Sequence, residues 1–493
     1  QKPSHIHRQH GTLPGWFSLD GLIDEVKMFN KAMSPAEIAA SFNAVSPVAP
    51  PDLPLRVMPS GPDGPGRFGA YYCDLKYYPE WDNLWPVASD PDIVVRFEQS
   101  GTRMVFWRGS RYSPAWVSEN GLWMVDQSVE AFYGRKPLDT EGCFEHMQDR
   151  RCRYSHVRVI ENTDARVIVH WRYAPVSAHD HLWRENPKTT RACWVDEYYY
   201  IYPDQMAVRN VSWKTGTLAG GGKQFQESVA FTQPGQLVSD LVPNGWATVA
   251  NIKGESRTLE YCLEPDREKP APEDLLIQRF NFKSANKPSI IFETGNRMRY
   301  VSDRKMGDRG LDIPGSCNHW PVGQAACDGR TVQAADRPTH CLGFPISSPP
   351  LHEAGGRSWW HGLYGMNELS IQDLVFVAKS WNAAPELQVT SAGFQTEGFD
   401  TGQRAYIVNR DDGTTGKLSF RLAANTESPA YNPAIIVRNW DQDALTLTLN
   451  GKELKRGKGF RTGVRHTLEG SHVIIWLETR STEPVTITLT PKS

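Results

Sequence analysis

The residues best suited to chemistry in this sequence lie in the stretch CRYSHVRVIENTDARVIVHWRY, residues 152–173. Strand-like alternation on both sides of a turn at 161–165, which contains Asn and Asp, predicts a β-hairpin. One face of the hairpin is apolar, and the other presents a phenol, two imidazoles and three guanidinium-bearing positions near one another. The residues of this polar face that we predict to act are Tyr154, His156, Arg158, His170 and Arg172.

The expected register follows from pairing Ile160 with Arg166. His156 then faces His170, and directly opposed side chains lie about 4.5–5.5 Å apart at Cβ. Such a cluster could bind an anion and move a proton. The competing interpretation is a solvated outer face without function, which is common in antiparallel sheets.

Composition narrows the function classes. The chain has 493 residues and a net charge of −2, which argues against a nucleic-acid partner. No segment is long and apolar enough to span a membrane. The 17 tryptophans and 11% aromatic residues suit an extracellular sugar-processing enzyme, although most tryptophans are expected in the core. We expect a monomer.

The eight cysteines include no CxxC motif. Their even number is compatible with disulfides in an oxidising compartment, and buried free thiols are an equal alternative. Cys317 and Cys327 flank one loop and are the best candidates for a bridge.

Short strand-like runs separated by turn residues predict an all-β protein. Residues 67–395 are expected to form a large antiparallel two-sheet β-sandwich, and residues 396–493 a smaller C-terminal β-sandwich. Asn450-Gly451 predicts a tight hairpin turn in the second domain. Residues 46–66, rich in Pro and Gly, are interpreted as a linker.

The segment LDGLIDEVKMFNKAMSPAEIAASF within residues 1–45 resembles the closing strand and helix of a laminin-G-like jelly roll. Ser34 as N-cap, Pro35 at the first helical position and Glu37 three residues after the cap predict the start of a helix. The resemblance implies that residues 1–45 are the tail of an accessory sugar-binding module.

Two further segments mix stacking, amide and charged groups, and each could equally be purely structural. The first is FWRGSRYSPAWVSENGLW, residues 106–123, and the second is the long loop at 317–340. The residues in them that we predict to bind substrate, together with Arg158, are Trp107, Arg108, Asn120, His319, Trp320 and Arg330.

The motif HDH at 179–181 invites a zinc or calcium interpretation, but its remaining ligands are not identifiable from the sequence. We therefore assign no metal ligand and predict no cofactor, with calcium and zinc left open. In WVDEYYYIY, Asp196, Tyr198, Tyr200 and Tyr202 share one face of a strand, and a tyrosine from either face could donate a proton.

His, Tyr and Arg without an obvious carboxyl pair fit β-elimination of a uronic acid polymer. Arginine can neutralise the uronate carboxylate through two parallel bonds. A His or Tyr then removes the C5 proton, and a Tyr or His protonates the leaving oxygen. We expect His156 or His170 as base or carboxylate contact and Tyr154 as acid or base. The neutralising cation is expected to be Arg172, Arg158 or Arg108.

The segments FWRGSRYSPAWVSENGLW, CRYSHVRVIENTDARVIVHWRYA and NHWPVGQ…DGR resemble marine bacterial polysaccharide lyases that have laminin-G-like modules. The resemblance points to the ulvan lyases of polysaccharide lyase family 40. It implies a secreted or periplasmic enzyme that cuts the sulfated rhamnose–uronate polymer of green algae, with an acidic polysaccharide as the partner. It does not transfer any catalytic residue to this chain.

Two alternatives stay open. A glycoside hydrolase for acidic sugars would use a carboxyl pair such as Asp196 and Glu227, next to Gln226, and would form no double bond. In a non-catalytic carbohydrate-binding protein, the arginines would only bind sulfate or carboxylate groups of the polymer.

Overall fold

The protein is described from a computed structural model. The residues that it describes are 28–44, 58–76, 90–126, 129–131, 144–146, 149, 152–177, 180–218, 222–224, 228–231, 238–260, 272–295, 339–343, 352–440, 444–468 and 470–492. Strands and helices are numbered along the chain.

The first sheet of the large domain has seven strands, and each neighbouring pair is antiparallel. Their spatial order is β1 (Gly69–Cys73), β2 (Asp92–Arg96), β3 (Arg103–Phe106), β4 (Pro114–Val117), β5 (Trp123–Asp126), β12 (Ser228–Phe231) and β17 (Thr339–Gly343).

The second sheet of the large domain has ten strands. Their order is β14 (Ser256–Leu259), β13 (Ala247–Asn251), β15 (Leu275–Phe280), β16 (Lys287–Phe292), β19 (Arg357–Asn367), β10 (Met206–Lys214), β9 (Val195–Tyr202), β8 (Val167–Tyr173) and β7 (Ser155–Asn162), with β18 (His352–Ala354) paired to β19. A separate two-stranded ribbon joins β6 (Val129–Ala131) to β11 (Gly222–Gln224).

The two sheets pack face to face around one hydrophobic core. Alternation explains the arrangement, because every second residue of a strand points to the same face. On β8, Val167, Val169, Trp171 and Tyr173 enter the core, while His170 and Arg172 lie on the opposite face. The predicted large two-sheet sandwich is therefore confirmed, and so is the apolar face of the predicted hairpin.

The C-terminal sandwich has two five-stranded sheets around its own core. One contains β20 (Leu387–Val389), β23 (Leu418–Leu422), β31 (Val485–Pro491), β26 (Leu445–Leu449) and β27 (Lys452–Glu453). The other contains β21 (Phe394–Asp400), β22 (Ala405–Arg410), β25 (Ala434–Arg438), β29 (Gly470–Leu477) and β28 (Phe460–Thr467), and a ribbon pairs β24 (Ala430–Tyr431) with β30 (Arg480–Ser481).

Local signals in the sequence are reproduced at two places. Asn450 and Gly451 both have positive φ and connect β26 to β27 in a two-residue turn, as predicted. Helix α1 (Pro35–Asn43) begins after Ser34, and Ser34 and Glu37 form a reciprocal capping box. The assignment of this segment to a laminin-G-like module stays a prediction.

The other helices are α2 (Val238–Leu241) and α3 (Ile371–Asn382), and α3 packs on β13, β15 and β16 of the large sheet. Among the described residues, none of the helices is both long and apolar enough to cross a lipid bilayer.

The two sandwiches contact each other directly. Arg404, at the start of β22, forms a buried ion pair with Asp204 in the turn between β9 and β10. The Tyr202 hydroxyl donates to the carbonyl of Gln403. These contacts bring the loop at 400–404 of the C-terminal sandwich against the outer face of the ten-stranded sheet.

Candidate functional site

The predicted hairpin is present as β7 and β8, but the prediction that Ile160 pairs with Arg166 is wrong. The turn is tighter than expected, because the Thr163 amide donates to the Arg166 carbonyl and the next pair outward joins residues 162 and 167. A β-bulge at Ile160 adds one more residue to the first strand. The tighter turn shifts the register by three residues, and the bulge reverses one of these, so the net shift at His156 and Arg158 is two residues.

The shift changes the partners and leaves the faces as predicted. His156 lies opposite Arg172, and Arg158 lies opposite His170. Because side chains alternate with a period of two, a two-residue shift returns each one to the same side of the sheet. The expected imidazole pair is thus replaced by two imidazole–guanidinium pairs.

The polar face continues from the hairpin across the sheet. Cα-paired positions on five neighbouring strands, from β7 through β8, β9 and β10 to β19, form one row. Reading across the strands, this row contains Arg158, His170, Tyr198, Asn210 and His361. The next row contains His156, Arg172, Asp196, Ser212 and Trp359.

His170 is buried in the first row with both ring nitrogens occupied. Arg158 Nε donates to His170 Nδ1 at 3.2 Å, and His170 Nε2 lies 3.0 Å from Asp196 Oδ1. Because Nδ1 accepts a hydrogen bond, Nε2 bears the proton and donates to Asp196. The ring also stacks on Tyr198, with centroids 4.3 Å apart and planes at 9°. His170 is therefore placed to position Tyr198 and Asp196, and neither of its nitrogens is free to accept a proton.

Asp196 is the centre of the second row. It accepts hydrogen bonds from Arg172 at 2.9 Å and from Arg357 at 3.0 Å, in addition to the bond from His170. Burial alone would raise the pKa of this carboxyl, but the bonds from His170 and the two arginines outweigh burial and lower it to about 2. An Asp196 that stays ionised at neutral pH is unsuited to be the proton donor of a hydrolase.

A groove open to solvent lies above these rows, with a volume of about 440 Å³. The groove is lined by side chains from β9, β10 and the β18–β19 hairpin, and these include Tyr198, Tyr200, Asn210, Ser212, Arg357 and Trp359. The sequence thus places aromatic surfaces, amide and hydroxyl groups and a guanidinium around one concave space.

Tyr198 differs from the tyrosines packed inside the domain. Its ring is partly exposed in the groove, and no described residue hydrogen-bonds to its hydroxyl. By contrast, the hydroxyls of Tyr173 and Tyr199 both donate to Glu197 inside the sandwich, at 2.7 Å each. Tyr198 therefore lines the groove with a hydroxyl that is placed to exchange a proton with a ligand.

Tyr154 and His156 lie at the rim of this face, around Trp194. The Tyr154 ring meets Trp194 edge to face at 6.4 Å, and the His156 ring stacks on it at 6.5 Å. The Arg172 guanidinium lies 5.0 Å from the centroid of the same indole. The structure therefore brings together all four residues predicted to be catalytic, and Arg158 with them, but only His170 and Arg172 contact Asp196.

Three residues predicted to bind substrate lie elsewhere. Trp107 is buried on the far side of the seven-stranded sheet. Arg108 is buried and paired with Asp92 and Asp74. Asn120 lies in the β4–β5 turn and donates to the Lys283 carbonyl at 2.9 Å. Their observed contacts are structural, and none of the three lines the groove.

Several other predictions fall outside the described residues. They concern the loop residues His319, Trp320 and Arg330, the Cys317–Cys327 bridge, His179 of the HDH motif, and Gln226 with Glu227. Among the cysteines that the structure describes, Cys73, Cys152 and Cys193 are free thiols.

A group with metal-ligand chemistry lies at the end of the first row. Glu293, His352 and His361 place one ligand atom each within 4.8 Å of one another. Burial alone would raise the pKa of Glu293, but the neighbouring His361 and His352 outweigh it and lower this pKa. Asp180 and His181, the described residues of the HDH motif, are not part of the group.

The sequence analysis missed Arg357, Trp359 and His361. Their signal is the alternation in GGRSWWHGLYG, where these residues occupy every second position after two glycines. Gly355 and Gly356 both have positive φ and form the two-residue turn of the β18–β19 hairpin. Period-two alternation predicts a shared face, but the partner strands β10 and β16 could not be identified from the sequence.

Comparison with known proteins adds little. No family model and no curated protein matches the chain. A galactose 1-epimerase from Lactobacillus acidophilus NCFM is similar over 61% of this chain and 99% of its own, at 9% identity and a TM-score of 0.26. A GalM/aldose epimerase homologue from C. elegans is similar over 55% of this chain and 96% of its own, at 12% identity and a TM-score of 0.26. Superpositions with such TM-scores establish neither a shared overall fold nor a shared activity.

Proposed function

We propose that this protein is a polysaccharide lyase that cleaves a uronate-containing polymer, of the sulfated ulvan type, by β-elimination in the groove. The observation that supports this most directly is the composition of the groove floor. Tyr198, whose hydroxyl has no hydrogen-bond partner among the described residues, lines the groove together with Arg357. Two arginines, Arg172 and Arg357, contact the single carboxylate of Asp196 and so outnumber it.

The excess of guanidinium groups suits an anionic substrate. Arg357 uses one nitrogen, Nη2, to contact Asp196 and Ser212, and its side chain is 46% exposed. Its remaining N–H groups can bind a uronate carboxylate in the bidentate manner that arginine favours. Asp196 meanwhile holds Arg172 and Arg357 in place, so that little side-chain freedom is lost when substrate binds.

Tyr198 is the proposed group for proton transfer. It faces the groove between Asp196 and Tyr200 on β9, and its neighbour across the ladder is Asn210. A uronate bound to Arg357 would place its C5 proton toward Tyr198, while the Asn210 amide donates to the carboxylate. As C5 loses its proton, negative charge moves onto that carboxylate, and the fixed cations and the amide stabilise it. In this step Tyr198 starts as the phenolate and accepts the C5 proton, and the resulting hydroxyl then donates that proton to the leaving oxygen. The C4–O bond breaks at the same time, and a double bond forms between C4 and C5.

Roles for the predicted catalytic residues change accordingly. Arg172 remains a cation for the acidic polymer, and His170 becomes a positioning residue for Tyr198. Tyr154 and His156, with Trp194, form a rim on which a neighbouring sugar ring can stack, as Trp359 can on the other side. Because the polymer is extracellular, we infer that the protein acts outside the cytoplasm.

The test incubates the full chain with ulvan and with glucuronan, and follows the ultraviolet absorbance of the conjugated uronate double bond. We expect wild type to raise the absorbance, and Tyr198→Phe to lower the rate by at least about 100-fold, in line with loss of a general acid–base group. Tyr71→Phe is the matched control, since the Tyr71 hydroxyl is on the other sheet and donates to the Arg67 carbonyl.

Other outcomes would replace the proposal. New reducing ends without absorbance would mean hydrolysis, and retention of the polymer without any product would mean a binding protein. Equal rates for Tyr198→Phe and wild type would show that Tyr198 does not transfer a proton in the reaction.

A further inference from the structure

Glu293, His352 and His361 meet at a junction of three strands. Glu293 directly follows β16, His352 begins β18, and His361 lies in the middle of β19, to which both other strands pair. Glu293 Oε1 lies 2.8 Å from His352 Nε2, and Glu293 Oε2 lies 3.3 Å from His361 Nδ1. Residues far apart in the sequence thus converge on one point.

Two of these atoms lack a hydrogen bond. Glu293 Oε2 and His361 Nδ1 are both buried, and although they are close, neither makes a hydrogen bond to any described residue. His361 as a whole is only 6% exposed. Buried polar atoms are nearly always satisfied, because an unsatisfied one loses its hydration without compensation. One group that binds both atoms at once would satisfy them together.

We propose that Glu293, His352 and His361 bind one divalent metal ion, with zinc as the preferred ion. Two imidazole nitrogens and one carboxylate oxygen are a ligand set typical of zinc, which binds such atoms at about 2.0–2.2 Å. Calcium, which takes six to eight oxygen ligands, does not suit a site with two imidazoles. The three ligands leave a fourth position of a tetrahedral site for water or another group.

The ion would organise the groove. His352 stacks on Trp359, with ring centroids 5.4 Å apart, and Trp359 and Arg357 line the groove from the same hairpin. A metal bound to His361 Nδ1 leaves the proton on Nε2, which lies beside Asn210 at the point where the backbone of Gly402 approaches. This consequence for the groove rests on the proposed function, whereas the metal site itself does not.

The first experiment measures metal binding by the full chain after removal of any affinity tag. The protein is stripped with a chelator and titrated with zinc, and bound metal is measured by elemental analysis and the melting temperature by calorimetry. We expect one equivalent of zinc that resists dialysis and raises the melting temperature, because a ligand that binds only the folded state stabilises it. Cobalt in place of zinc should give visible absorption bands of a site with nitrogen and oxygen ligands.

Variants assign the site. His361→Ala and Glu293→Gln should each weaken zinc binding by at least about 100-fold, since even residues that only orient a metal ligand change affinity by about 10–100-fold. His466→Ala is the matched control, because His466 is an exposed histidine of the C-terminal sandwich. Circular dichroism confirms that each variant is folded.

The outcomes separate the two proposals. Stoichiometric zinc that survives in both His361→Ala and Glu293→Gln, or wild type without affinity for zinc, would overturn the metal site. Preference for iron or another divalent ion would overturn the choice of zinc. Zinc binding in a protein that forms no unsaturated product would uphold the metal site and refute the lyase.

Discussion

Asp196 and Glu197 are neighbours on β9, and the sheet directs them to opposite faces. Asp196 contacts Arg172 and Arg357 beside the open groove. Glu197 is fully buried between the sheets, where Arg209 binds both carboxylate oxygens at 2.7 and 2.8 Å. Each carboxylate therefore has arginine partners and lies close to tyrosines.

The two faces differ in which hydrogen-bonding groups lack a partner among the described residues. On the inner face, the hydroxyls of Tyr173 and Tyr199 complete the coordination of Glu197, and Arg209 lies over the Trp360 ring. Such a closed network can only stabilise the fold. On the outer face, the Arg357 side chain is 46% exposed, and the Tyr198 hydroxyl has no hydrogen-bond partner among the described residues. The same residue types form a structural pair when enclosed, and a candidate binding site when one side stays open.

The largest effect should come from the enclosed carboxylate. Glu197→Gln leaves Arg209 as a buried, unpaired charge, and breaking a buried ion pair in this way costs about 3–5 kcal/mol of unfolding free energy. Denaturant unfolding followed by tryptophan fluorescence measures this loss. Glu453→Gln, on an exposed strand of the C-terminal sandwich, is the control. A loss no larger than the control's would contradict the structural role assigned to Glu197.

The second-largest effect is expected for substitution of Arg357, the partly exposed arginine of the groove. Arg357→Ala should reduce kcat/KM on an acidic polymer by about 10–100-fold, because hydrogen bonds to charged groups contribute about 1.5–3 kcal/mol. Arg357→Lys should recover only part of this, since Lys cannot bind a carboxylate bidentately. Arg421→Ala, an exposed arginine of the other domain, should have unchanged kinetics. Unchanged kinetics for Arg357→Ala would exclude it from substrate binding.

The smallest effect concerns pH and Asp196. Its pKa is lowered from 3.8 to about 2 in the folded protein, so its stabilising contribution is complete above its unfolded pKa and is lost as pH falls toward 2. Because Arg172 and Arg357 are both partly exposed, solvent screening limits this contribution to about 1 kcal/mol. Asp196→Asn should thus be less stable than wild type at neutral pH. The difference in unfolding free energy between the two proteins should disappear as the pH falls toward 2. A difference that grew at low pH would contradict the stabilising role of ionised Asp196.

The hairpin illustrates how far sequence patterns reach. Alternation in residues 155–173 identified both strands and placed His156, Arg158, His170 and Arg172 on one face, because the face depends on position along a strand away from a bulge. The register depended on a bulge at Ile160 and on a turn at 163–166, and neither has a distinctive composition. The error was two residues, so the predicted polar face was right and its predicted pairs were wrong.

Segments judged by composition alone were less informative. Trp107 and Arg108 have the residue types of a sugar-binding surface, yet Trp107 is part of a core and Arg108 is paired with Asp92. A buried ion pair and a binding site use the same residues, and only the surroundings distinguish them. The groove residue Arg357 was missed for the converse reason, since its partner Asp196 lies on a strand distant in sequence.

By itself, the amino-acid sequence determined the all-β class, the alternating faces of the hairpin, the Asn450-Gly451 turn and the capped start of α1, since these depend on neighbours in the chain. Only the tertiary structure decided which strands lie side by side. That order joins Tyr198, Asn210 and His361 in one row, and it brings Glu293 to His352. The physical reason is that strand pairing is long-range: hydrogen bonds between strands do not depend on side-chain identity, so the packing of the whole domain selects the partners.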